Sequence, residues 1–109
     1  MSAILPQTKG EGSKEFVITV PTNTSTLDYG NFVNTINSST YTWFYLVSNA
    51  SNGKHFLIIH KSDLTSIGIN TQIYIDQTGS SNVDSSLYRL STGYIYSINW
   101  STDIYGIKF

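Results

Sequence analysis

The chain has 109 residues, enough for one domain around one core. Charged residues make up only 12% of it, six basic and seven acidic for a net charge of -1, against ~25% in an ordinary soluble domain. This excludes the basic footprint that nucleic acid or an anionic membrane surface requires, and the lack of cysteine excludes disulfides, thiolate metal sites and a Cys nucleophile.

Hydroxyls and amides stand where the charges are missing. There are 16 Ser, 13 Thr and 9 Asn, with eight Tyr among them. Most intracellular surfaces are kept soluble by mixed charges. A neutral polar surface tolerates close packing against copies of itself, because few charges need desolvating. Hydrophobic residues at 39% and aromatics at 14% supply a core, so the chain reads as folded.

Residues 1–15 hold four of the charges, Lys9, Glu11, Lys14 and Glu15, and two glycines, Gly10 and Gly12. They read as an extended N-terminal arm with an apolar tip at Ala3, Ile4 and Leu5, ahead of a sandwich domain over 16–109. The start lacks a basic segment followed by an apolar run, so no signal peptide is expected. From 16 to 53 the only charge is Asp28. A stretch that neutral is expected to be buried or to lie against a partner.

A first strand is predicted over 16–20, β-branched and closed by Pro21. Residues 25–37 are ambiguous. Ser25 and Asp28 have capping-box spacing, and Leu27, Phe32, Val33 and Ile36 suit one helical face, but Gly30 and the Asn and Thr content oppose a helix. Residues 40–48 form the clearest strand, with Tyr41, Trp43, Tyr45 and Val47 on one face, Phe44 and Leu46 on the other, and both faces covered. Asn52 and Gly53 give hairpin chemistry, and 54–61 returns as the partner strand.

Residues 67–76 alternate Ile67, Ile69, Thr71, Ile73 and Ile75 with polar neighbours, the period of a half-buried strand. A loop over 77–82, a strand over 86–91 and a turn at Thr92 and Gly93 follow. A strand over 94–100 carries Tyr94, Tyr96, Ile98 and Trp100 on one face and Ile95, Ser97 and Asn99 on the other. A turn at 101–103 leads to a last strand over 104–109. The expected architecture is all-β: a single antiparallel sandwich, jelly-roll or immunoglobulin-like, of seven to eight short strands.

No chemical motif stands out. His55 and His60 are the only histidines, and a spacing of five puts them on opposite faces of one strand, so they cannot share a metal within one chain. Asp76, Asn82 and Asp84 carry oxygen ligands around a Gly-Ser loop, but their spacing is not that of an EF-hand. No serine has the strand–turn–helix context of a nucleophile elbow. Neither metal nor cofactor is expected, and no enzyme. Four Asn-x-Ser/Thr acceptors occur, at Asn23, Asn37, Asn49 and Asn99.

The aromatics carry the functional expectation. Trp43 and Trp100 read first as core. Tyr41 and Tyr45, with Ile4 and Leu5 of the arm, are candidates for an interface between copies. The expected function is that of a non-enzymatic, self-assembling structural protein: a virion component (capsid, vertex, decoration or fibre-head) or a subunit of an extracellular filament. The alternative is a lectin-like module that stacks sugars on Trp43 or Trp100, with Asp76, Asn82 or Asp84 holding hydroxyls. The partners expected are the chain itself or glycans, with no nucleic acid and no membrane insertion.

Overall fold

The computed structural model describes residues 13–22, 26–51, 55–76 and 85–108. Eight antiparallel strands form two four-stranded sheets, a β-sandwich as the alternation predicts. They are β1 (Lys14–Val20), β2 (Leu27–Asp28), β3 (Trp43–Ser48), β4 (Phe56–His60), β5 (Gln72–Asp76), β6 (Ser85–Arg89), β7 (Tyr94–Ile98) and β8 (Thr102–Ile107). Two helices join them, α1 (Tyr29–Ser38) and α2 (Lys61–Leu64). Sheet 1 has the order β1-β8-β3-β4 and sheet 2 the order β2-β7-β6-β5. The first strand pairs with the last and the second with the seventh. β3 with β4, and β5 with β6, are adjacent in sequence and pair directly.

Period two decides which side chains face inward. Phe44, Leu46 and Ser48 of β3 are buried, as are Thr102, Ile104 and Gly106 of β8. Leu87 of β6 and Ile95 and Ser97 of β7 meet them from sheet 2. Phe32 and Ile36, one turn apart on α1, complete the core with Leu64 and Ile67. Within β7 the face of Tyr94, Tyr96 and Ile98 points outward. Tyr94 is exposed, while the smaller Ile95 and Ser97 fill the interior.

At one end the sheets are stitched by hydroxyls. Ser48 of sheet 1 and Ser85 of sheet 2, both fully buried, share a hydrogen bond of 2.7 Å. Ser97 and Thr102 share another of 2.7 Å. Each group satisfies the other, so the seam costs little where an unpaired hydroxyl would cost ~1–3 kcal/mol.

Several boundaries differ from the expectation. The helix begins at Tyr29, because Asp28 rather than Ser25 is its N-cap, accepting from Asn31 N–H at 2.9 Å. Leu27 lies before it in β2. The partner strand ends at His60, and Lys61 opens α2. The run 67–76 is not one strand. Asn70 takes a left-handed φ of 60°, which breaks the ladder, so only Gln72–Asp76 pairs and Ile69 stands exposed. The turn before β8 falls at Asn99, whose φ is 68°, so β8 starts at Thr102. β1 starts at Lys14, and the arm residues Ile4 and Leu5 lie outside the described residues.

Candidate functional site: the outer face of sheet 1

The two sheets differ in what they turn to solvent. Register places Lys14, Ile107, Trp43 and His60 at one end of sheet 1's outer face. Phe16, Tyr105, Tyr45 and Ile58 follow in the middle, then Thr19, Asp103, Val47 and Phe56. Four of these are large, apolar and exposed: Phe16 at 56%, Trp43 at 40%, Phe56 at 60% and Ile58 at 53%. The rings of Phe16, Tyr105, Tyr45 and Phe56 form a band across all four strands. Phe16 meets Tyr105 edge-on at 5.8 Å, Tyr105 lies 6.3 Å from Tyr45, and Tyr45 lies 5.3 Å from Phe56. Trp43 stands edge-on to His60 at 4.9 Å.

The face is nearly free of charge. Lys14 lies over the Tyr105 ring at 5.2 Å, a cation–π contact. Asp103 is occupied by the Thr19 hydroxyl at 2.6 Å and the Asn49 amide at 3.3 Å. His60 Nδ1 accepts from Ser62 N–H at 3.0 Å and caps α2, so the imidazole is held between the helix and Trp43. Between Lys14, Tyr45, Ile58 and Ile107 the face dips into a shallow, mainly apolar depression.

Tyr45, an interface candidate from the sequence, stands at the centre of this band. Tyr41 does not join it, contrary to the alternation. It precedes β3 and turns to the inner side, edge-on to Phe44 at 6.1 Å, with its hydroxyl donating to Glu15. The cause is Gly106, which has no side chain and leaves room for the ring against β8. Trp43, expected in the core, is exposed, and the expectation that both faces of this strand are covered is corrected with it. Phe16, Phe56 and Ile58 were not singled out from the sequence. Alternation separates two faces without saying which is wet, and here both faces of sheet 1 are apolar.

The sugar-binding candidates are not gathered into one place. Trp43 opens β3 at one end of sheet 1, whereas Trp100 lies in the β7–β8 connection at the other. The Trp100 indole N–H is turned inward and has no hydrogen-bond partner among the described residues. Asp76 pairs with Ser85 at the far edge of sheet 2, and Asn82 and Asp84 lie outside the described residues. Of the glycosylation candidates, Asn37 is exposed on α1 and Asn99 in its turn. The Asn49 amide is engaged with Ser101 at 3.0 Å and with Asp103, and Asn23 lies outside the described residues. His55 precedes β4 and is half-buried, on the opposite parity from His60. Among the described residues no three His, Asp or Glu cluster as metal ligands, and no helix is long and apolar enough to cross a membrane.

No family model, curated protein or solved structure matches the chain.

Proposed function

We propose that the protein is a structural subunit that associates with copies of itself through the outer face of sheet 1, as a component of a virion or an extracellular filament. One observation carries the reading: an uncharged aromatic band crosses a whole sheet and is left in water. Phe16, Trp43, Phe56 and Ile58 together expose roughly 400 Å² of apolar surface. That is the size of the largest patches on monomers, which often mark a functional surface. Two such faces in contact, with the half-buried Tyr45, Tyr105, Val47 and Ile107 between them, approach the ~1,200 Å² at which specific interfaces begin. A sugar site needs fixed hydrogen-bonding groups beside its stacking ring. Here the nearby polar groups, Asp103 and His60, are already held by Thr19, Asn49 and Ser62.

Static light scattering and negative-stain imaging of the pure protein test this reading. A defined oligomer or polymer is expected, and the Phe56→Ser variant is expected to weaken it at least about tenfold, the loss of one buried aromatic anchor. A chain that stays monomeric at millimolar concentration, with fluorescence of the exposed Trp43 responding to added sugars, would replace this reading with the lectin-like one.

A further inference from the structure

The four sheet edges are not alike. The β1 edge opens with Lys14 and Glu15 and is broken by a bulge between Phe16 and Ile18. The β5 edge has a bulge between Tyr74 and Asp76, and β2 is two residues long. Charges, bulges and short strands are the devices that keep an edge from pairing with another chain. β4 carries none of them. Its sequence Phe-Leu-Ile-Ile-His has no Lys, Asp, Glu or Pro, and its register against β3 is unbroken from Phe56 to His60.

The ladder also fixes where the backbone of β4 points. Ser48 N–H donates to the His55 carbonyl at 2.8 Å, and Lys61 N–H donates to the Thr42 carbonyl at 2.8 Å. Residues 55, 57, 59 and 61 therefore face β3, and Phe56, Ile58 and His60 turn their peptide groups to the open side. Two of these residues, Phe56 and Ile58, also carry exposed apolar side chains on the aromatic face.

We propose that β4 pairs antiparallel with β4 of a second copy about a two-fold axis through Ile58, joining two sheet 1 layers into one continuous sheet. This rests on the self-association reading and names a second contact for it. Full overlap of the three outward residues puts Ile58 opposite Ile58 of the second copy and Phe56 opposite its His60. Ile58 exchanges both ladder bonds with its counterpart, and each His60 N–H reaches a Phe56 carbonyl. The pairing is isologous, as a two-fold contact must be. It also runs the aromatic bands of the two copies into each other, doubling the face available for stacking. A subunit with both an edge contact and a face contact can extend beyond a dimer, as a shell or filament requires.

The test uses the full chain in sedimentation velocity. Ile58→Lys and Ile58→Glu each place like charges on the axis, and each is expected to weaken edge pairing by at least about tenfold. An equimolar mixture of the two is expected to restore it, because the axis then brings Lys against Glu. Circular dichroism melts check that both variants are folded, as the exposed position of Ile58 predicts. Association of either variant at the wild-type strength, or a mixture as weak as its parts, would overturn the edge pairing. Phe16→Ser, on the opposite edge of sheet 1, separates the two contacts. Association that is insensitive to Phe16→Ser but follows the Ile58 pattern removes the face contact and keeps the edge. Association that Phe16→Ser weakens, and that mixing Ile58→Lys with Ile58→Glu does not restore, removes the edge and keeps the face.

Discussion

The Tyr29 hydroxyl donates to the Leu64 carbonyl at 3.1 Å and accepts from Ile67 N–H at 2.9 Å, so one side chain fastens the start of α1 to the segment after α2. The Arg89 guanidinium lies over the same ring at 4.2 Å and donates to the Ile67 carbonyl at 2.6 Å. Tyr29→Phe keeps the ring under Arg89 but leaves a buried N–H without its acceptor. The expected cost is about 1–3 kcal/mol, read as a fall in melting temperature of roughly 5–15 °C. Gly106 is a second single-residue constraint, of steric origin. A Cβ there would overlap the Tyr41 ring. Gly106→Ala is therefore expected to destabilise by about 1–3 kcal/mol, as overpacking does, and the Gly106→Ala/Tyr41→Ala pair to recover part of that loss. A double-mutant cycle by thermal melting checks it, and additive losses would show that the two positions do not meet.

Elements differed in how much their residues declared. β3 was readable because Phe44 and Leu46 alternate with Trp43, Tyr45 and Val47 in a run that only a strand accommodates. Its partner was readable from Asn52 and Gly53. α2 was not, because a single turn from Lys61 to Leu64 has no periodicity to read, and its cap is a histidine rather than the usual Ser, Thr, Asp or Asn. Residues 67–71 imitate a strand in their isoleucine spacing, and only the left-handed Asn70 reveals the turn. The site was half readable. Tyr45 was visible as an interface candidate and Trp43 only as core or as a sugar platform, but their neighbours Phe16 and Tyr105 come from strands far apart in sequence, and no local pattern reports that juxtaposition. α1 shows how a single cap settles an ambiguous segment. Its residues include Gly30 and several Asn and Thr, so propensity gives little. Asp28 supplies the missing acceptor, and Phe32 and Ile36 supply the burial. Asp28→Ala is expected to cost about 1 kcal/mol, and Asp28→Asn much less, since Asn caps as well as Asp. Thermal melts of the two variants separate capping from charge. An equal loss in both would show that the carboxylate charge matters, not the cap.

For the whole molecule, the scarcity of charge that opens the sequence reappears as a property of its surfaces. Of the described side chains on the outer face of sheet 1, only Lys14 and Asp103 carry a formal charge. Each is already engaged within the chain, Lys14 by Tyr105 and Asp103 by Thr19 and Asn49. Contact between copies through this face, or through the uncharged β4 edge, would have almost no ion pairs to screen. Salt acts on exposed charges over a screening length of ~10 Å at 0.1 M, so it has little to act on here. Apolar burial responds the other way, strengthening when an excluded salt such as sulfate is added. Self-association is therefore expected to change by less than about threefold between 50 and 500 mM sodium chloride, and to strengthen in sodium sulfate of equal ionic strength. Sedimentation velocity at matched protein concentration measures both. A tenfold weakening in sodium chloride would move the contact off these two surfaces and onto the charged margins of the sandwich, where Glu15, Lys61, Asp63 and Lys108 stand.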